Sequence, residues 1–109
     1  MKRFGQVIKL KPEGAAEYAR LHQKENIFPG VNEMIKKCNI SNYSIYVMDN
    51  LLFAYFEYVG VDFEADMNKM AADPSTQKWW AAVKPLMQPI ENIQPGEFWA
   101  NMKEIYHLD

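Results

Sequence analysis

Tyr43-Ser44-Ile45-Tyr46-Val47-Met48, then Asp49-Asn50, then Leu51-Leu52-Phe53-Ala54-Tyr55-Phe56-Glu57-Tyr58-Val59: this stretch decides the fold. In its first run Tyr43, Ile45 and Val47 alternate with Ser44, Tyr46 and Met48, the period of two that belongs to a strand. Asp49 and Asn50 both tolerate a positive φ, so they make a tight turn and the two runs read as a hairpin. The second run is apolar or aromatic at nearly every position. A strand that is apolar on both faces has to be covered on both. One cover is the chain's own helices; the other is expected to be a second subunit.

Outward from the hairpin, the period changes on both sides. Upstream, Phe4 to Leu10 alternates loosely and reads as a first strand. Pro12 then opens a helix, as proline does at a first-turn position. Ala15, Tyr18, Ala19 and His22 recur at i, i+3, i+4 and i+7 and share one face of it. Pro29-Gly30 breaks the chain, and Val31, Met34, Ile35 and Cys38 repeat the helical spacing in a short second helix. Downstream, Asp62 reads as an N-cap ahead of the stripe Phe63, Met67 and Met70. Asp73-Pro74 restarts a helix that carries Trp79, Trp80 and Val83, and Pro85 disturbs its end. Residues 85–97, with Pro85, Pro89, Pro95 and Gly96, read as an irregular connection, and Phe98 to Leu108 as a closing strand.

Strand, two helices, two strands, two helices, strand is an α+β order. It predicts a ferredoxin-like antiparallel sheet with helices on one face, each helix of that plan being split in two. The uncovered sheet face predicts pairing of two such sheets into a dimeric α/β barrel.

A chain of 109 residues suits a single domain over residues 1–109. The 14% aromatic share is more than a core of this size needs, which points to an interface or a stacking site as well. A net charge of −2 with scattered lysines and arginines excludes a phosphate-backbone footprint, so nucleic acid is not an expected partner. One cysteine, Cys38, excludes an intrachain disulfide, and with two separated histidines no structural metal site is expected. No apolar signal core and no membrane-length apolar run are visible, so the expected setting is soluble and cytoplasmic, without a membrane partner. Phosphate loop, dinucleotide fingerprint, serine nucleophile motif and paired metal-ligand motif are all missing. The expected chemistry is therefore cofactor-free, with proton transfer as the natural class.

His22 is the first candidate for it. One helical turn after Tyr18, it can point its ring into the same space, and an imidazole gives and takes protons near neutrality. The plain alternative is a helix-surface histidine beside a core tyrosine. Trp79-Trp80 is the second feature. Adjacent helical positions diverge by about 100°, so one ring can enter the core while the other borders a cavity that suits the C–H face of a sugar; both filling the core is the alternative. Tyr43 and Tyr46 point to opposite faces of their strand, so one hydroxyl can reach a ligand while the other ring packs. His107 reads as ordinary, and Cys38 as a small buried apolar residue.

Glu17-Tyr18-Ala19-Arg20-Leu21-His22, Asn42-Tyr43-Ser44-Ile45-Tyr46 and Trp79-Trp80, in that order and followed by Glu104-Ile105-Tyr106-His107-Leu108, resemble the L-rhamnose mutarotase family over nearly the whole chain. The Asn50-Leu51-Leu52-Phe53-Ala54 stretch resembles that family too. The resemblance implies a homodimer of ferredoxin-like units and no cofactor. It places the proton donor on His22 and the sugar-binding positions on Tyr18, Tyr43, Trp79 and Trp80. It implies a 6-deoxyhexose monosaccharide as substrate, with its α and β anomers interconverted by acid/base-catalysed ring opening. The chain departs from the family in the link Gln23-Lys24-Glu25-Asn26, which is longer, in the segment Ile27-Phe28-Pro29-Gly30, and in having His107 where the last strand carries an aromatic. These departures leave L-fucose or another sugar as an alternative substrate. A cofactor-free monooxygenase or cyclase, or a sugar-binding module without turnover, are the other readings of the same barrel.

Overall fold

The computed structural model describes all 109 residues. β1 (Lys2–Leu10) leads through a 3-10 turn at Pro12–Gly14 into α1 (Ala15–Leu21). A second 3-10 turn, Lys24–Asn26, precedes α2 (Val31–Lys37). The hairpin follows as β2 (Ile40–Met48) and β3 (Leu51–Tyr58), then α3 (Phe63–Ala71) and α4 (Pro74–Val83), and two short strands, β4 (Met87–Gln88) and β5 (Ala100–Met102). The sheet is antiparallel in the order β2-β3-β1-β4, with β5 also paired to β1. This is the ferredoxin-like arrangement, with both helical segments split.

Local chemistry explains the breaks. The hairpin turn holds Asp49 at φ 51° and Asn50 at φ 59°, the pair of left-handed residues that matches strand twist in a two-residue turn. The Asp62 carboxylate accepts from the Ala65 N–H at 3.1 Å and starts α3. The Asp73 carboxylate accepts from both the N–H and the hydroxyl of Thr76, each at 2.9 Å, and starts α4 with Pro74 in its first turn. At Pro85 the helix tightens into a 3-10 turn, Lys84–Leu86.

Two expectations need correction. The closing strand does not run from Phe98 to Leu108: only Ala100–Met102 pairs, opposite Val7, Gln6 and Gly5. Continued, that register would set Lys103, Glu104 and Ile105 opposite Phe4, Arg3 and Lys2, but there the contact is the side-chain pair Arg3–Glu104 and not a backbone ladder. His107 therefore lies beyond the strand, with its Nε2 2.7 Å from Asp109. The connection from 85 to 97 is not wholly irregular, because Met87–Gln88 pairs with Leu10 and Lys9.

Pairing partners point to the same face of an antiparallel sheet. Ile8, Leu10, Leu52, Ala54, Phe56 and Tyr58 therefore share the inner face, where all are buried. Tyr18, Leu21, Val31, Trp79 and Val83 belong with Ile8, Leu10 and Leu52 in the main core. Phe63, Met67 and Met70 of α3 pack on a smaller cluster of Ile40, Phe56 and Tyr58. Cys38 is fully buried, the small apolar filler its context suggests. The outer face carries Val7, Leu51, Phe53, Tyr55 and Glu57, all only half-buried, together with the exposed Tyr46 and Met48. No helix is long and apolar enough to cross a membrane.

Candidate active site

The face of α1 marked out by its spacing becomes one wall of a cleft. Ala15, Tyr18, Ala19 and His22 line it, facing Ile45 and Val47 of β2 and Leu52 of β3. The cleft holds about 240 Å³, below the roughly 300–1,000 Å³ of drug-sized sites and suited to a small molecule. A recess of about 270 Å³ at the hairpin end, between Lys9, Lys11 and Asp49, holds no aromatic ring and no histidine. Size alone does not mark the chemistry; the rings do.

His22 ends α1, and its ring folds back on that helix. Nδ1 lies 2.7 Å from the Tyr18 carbonyl oxygen. A carbonyl can only accept, so Nδ1 carries the hydrogen, and in the neutral ring Nε2 keeps its lone pair. The Tyr18 and His22 rings lie 4.1 Å apart between centroids, and Trp79 meets the imidazole edge-on at 5.0 Å. Burial pulls the His22 pKa below its ordinary 6.5, against the smaller opposing effect of the bond to the Tyr18 carbonyl. The imidazole is thus held neutral at pH 7, with one tautomer and one free nitrogen.

The phenols have the opposite character. Tyr18 is pushed well above the usual 10.0, first by burial and then by the neighbouring Tyr43. Burial raises Tyr43 to about 12, although the residue as a whole is 42% exposed. Both phenols stay protonated at neutral pH and can lend an O–H. A bulge explains how Tyr43 reaches this position. Ser41 and Ser44 both face outward, opposite Glu57 and Tyr55, with one extra residue between them. Asn42 takes the strain at φ 51°, and Tyr43 turns inward to lie 5.5 Å from the Phe56 ring.

The tandem tryptophans divide as their helical positions require. Trp79 is 8% exposed and packs between His22 and Phe28, whose ring lies 5.1 Å away. Trp80 is half-buried, with the Lys84 Nζ 4.3 Å above its ring and 5.5 Å from the Phe98 ring. The structure therefore brings Tyr18, His22 and Trp79 into one cluster, with Tyr43 at its edge, and turns Trp80 toward Phe98. The long link after His22 has a role in this: the Asn26 amide donates to the Arg20 carbonyl at 2.8 Å, closing the turn that delivers Phe28 to Trp79. Tyr46 pairs with Phe53 on the outer face and is 68% exposed, and it also borders the rim of the cleft between Ile45 and Val47. No group of three His, Cys, Asp or Glu side chains is placed to hold a metal ion.

One polar feature escapes the sequence patterns. Gln6, Asn101 and Glu97 form a hydrogen-bonded chain on the inner face, with Gln6 Nε2 donating to Asn101 Oδ1 at 3.0 Å and Asn101 Nδ2 to Glu97 Oε2 at 2.9 Å. Its only signal was the looseness of the first strand's alternation, since Gln6 has the same parity as Phe4, Ile8 and Leu10.

A neutral histidine and a protonated tyrosine in an apolar cleft, over an antiparallel sheet with helices on one face, make a candidate small-molecule acid–base site on a ferredoxin-like scaffold. The sequence profile of the L-rhamnose mutarotase family matches residues 3–108. A relative named L-rhamnose mutarotase from Lactiplantibacillus plantarum is 34% identical over 109 residues, the whole of both chains. One of the same name from Oceanobacillus iheyensis is 31% identical, again over the whole of both. The chain belongs to the L-rhamnose mutarotase family. Among solved structures, an L-rhamnose mutarotase from Formosa agariphila superposes with a TM-score of 0.76 at 21% identity, over all of both chains. A tetracenomycin F2 cyclase from Streptomyces glaucescens shares the fold, with a TM-score of 0.70 at 13% identity over all of this chain and 98% of that one.

Proposed function

We propose that this protein is a cofactor-free isomerase, a cytoplasmic homodimer that interconverts the α and β anomers of L-rhamnose. The observation that carries the reading is the 2.7 Å bond from His22 Nδ1 to the Tyr18 carbonyl, which frees Nε2 beside an apolar cleft. Ring opening removes a proton from the anomeric hydroxyl, breaks the C1–O5 bond and protonates O5; closing on the other face of the aldehyde reverses each step. The two oxygens share one carbon, so a single imidazole can serve both. Neutral His22 takes the hydroxyl proton at Nε2 and, as imidazolium, donates it to O5. Tyr18, held protonated, supports the developing charge on oxygen, and Tyr43 offers a second O–H. In this reading Trp79, edge-on to His22, and Trp80, on the side of Phe98, supply the rings that suit the C–H face and the methyl group of a 6-deoxyhexose.

The dimer in this reading rests on the outer sheet face, whose half-buried Leu51 and Phe53 have no helix above them. Saturation-transfer NMR of L-rhamnose tests the chemistry. His22→Ala should slow catalysed anomer exchange by about 10²-fold or more while the protein stays folded. His22→Asn should be as slow, because an amide hydrogen-bonds but does not exchange a proton at neutral pH. Near-normal exchange in folded His22→Ala rules the mechanism out.

A further inference from the structure

The cleft extends well beyond His22. The imidazole stands at one end of the α1 face, and the wall continues through Ala19 and Tyr18 to Ala15. At a helical rise of about 1.5 Å per residue, Ala15 lies roughly 10 Å from His22 along the axis. The floor at the Ala15 end is Leu10 and Leu52, both buried, and the opposite wall is Val47. Val47 is an inward residue, paired with Leu52, yet it is 63% exposed. Across the cleft from it α1 offers Ala15 and Ala19, whose methyl groups are too short to cover it.

The two ends differ in chemistry. One has the imidazole of His22. At the other, Leu10, Ala15, Val47 and Leu52 carry no hydrogen-bonding side-chain atom. In a pyranose the C1–O5 bond lies across the ring from the C3–C4 bond. With C1 and O5 at His22, a substituent on C3 or C4 points down the cleft toward Ala15. A bare hydroxyl there gives up water without gaining a side-chain partner, which opposes binding. An alkyl group there leaves water for aliphatic neighbours, which favours it. The anomeric hydroxyl has to stay free for ring opening, so the apolar group belongs on the far side of the ring and not on C1.

We propose that the cleft takes reducing sugars alkylated on the oxygen of C3 or C4, methyl ethers of a 6-deoxyhexose being the simplest, and that Ala15 is the specificity-determining residue that leaves room for the alkyl group. This rests on the reading of His22 as the group at the anomeric centre. Ala19, between the two, keeps the passage open. One methyl group in such a pocket gives about 10–200-fold discrimination, so the preference over the unsubstituted sugar falls in that range. A branched side chain at position 15 would occupy the same space and remove it.

The test measures NMR anomer exchange and calorimetric binding for L-rhamnose and its 2-, 3- and 4-O-methyl ethers, with wild type and Ala15→Leu. Leucine is nearly as good a helix former as alanine, so α1 is kept. In wild type the 3-O- or the 4-O-methyl ether should show a KM about tenfold or more below that of L-rhamnose, with kcat within about twofold, and the 2-O-methyl ether should show no gain. Ala15→Leu should raise KM for the favoured ether about tenfold or more and KM for L-rhamnose by a smaller factor, cancelling the preference. The proposal is overturned if neither the 3-O- nor the 4-O-methyl ether binds wild type better than L-rhamnose, if the 2-O-methyl ether gains as much, or if Ala15→Leu weakens all four sugars by one factor. Ala15→Val carries the same comparison should Ala15→Leu not fold. Wild type that binds these sugars without exchanging anomers defeats the mutarotase reading, and the calorimetric ratios then judge Ala15 by the same pattern. Wild type that binds none of the four overturns both.

Discussion

The inner and outer faces of this sheet are built by the same strands, residue by alternate residue, yet they end in different states. On β3, Leu52, Ala54, Phe56 and Tyr58 are buried under helices, and Leu51, Phe53, Tyr55 and Glu57 between them are only half-buried. The inner face is apolar except where Gln6 and Asn101 enter it. The outer face is divided along its length. Near the hairpin turn it carries Leu51, Phe53, Tyr46 and Met48. At the other end Arg3 pairs with Glu104 at 2.8 Å, and Glu57 accepts from the Tyr55 hydroxyl and the Asn42 amide, both at 2.7 Å. The difference teaches that alternation identifies which residues share a face, while the neighbouring elements decide what becomes of that face. A continuous apolar run can therefore conceal one face of core and one face without a helical cover.

The comparison breaks first at adjacent residues. Leu52→Ala should cost about 2–5 kcal/mol in urea unfolding, since Leu52 is 1% exposed and its loss leaves a cavity. A cost under about 1 kcal/mol would show that the inner face is not the packed one. Next to it, Phe53→Lys should leave far-UV circular dichroism unchanged and convert a dimer to a monomer in light scattering, because it charges only the face without helices. If Phe53→Lys unfolds instead, the outer face is part of the core and the contrast fails. A smaller effect is expected at the cover itself: Asp73→Ala removes the cap of α4, the helix that brings Trp79 over the inner face, at a cost of about 1 kcal/mol. The smallest concerns pH. His22 titrates below 6.5 in the folded chain, so between that lowered value and 6.5 the unfolded chain binds more protons. Its contribution to stability is therefore complete above 6.5 and is lost as pH falls through that window. Exchange activity should fall over the same window and stay level up to about pH 10, because Tyr18 remains protonated past its usual 10.0. An inflection above 6.5, or a profile that His22→Asn does not alter, would assign the proton step to another group.

Much of this was legible because it is periodic. The hairpin, the split helices and the cleft-lining face of α1 all follow from spacing, and the division of Trp79 from Trp80 follows from the angle between adjacent helical positions. The bulge did not follow: nothing in Ser41-Asn42-Tyr43-Ser44 marks an extra residue except an asparagine able to take φ 51°. The last strand was overread because nothing in Phe98 to Leu108 marks where pairing stops: the backbone ladder ends at Met102, and beyond it Glu104 holds to Arg3 by its side chain. Gln6 went unread because a polar residue in a strand is assigned to solvent by default. Only the register with Ala54 and Asn101 reveals that it faces inward.

The edge-on contact between Trp79 and His22 also gives the molecule an optical reporter. An imidazolium quenches a neighbouring indole more strongly than a neutral imidazole does, so the emission of Trp79 should dim as His22 gains its proton. Trp80, under the Lys84 side chain, and Trp99 have no histidine against their rings and supply the background. An acid titration of tryptophan fluorescence would then follow the protonation of His22 directly, in unlabelled protein, without substrate and without turnover.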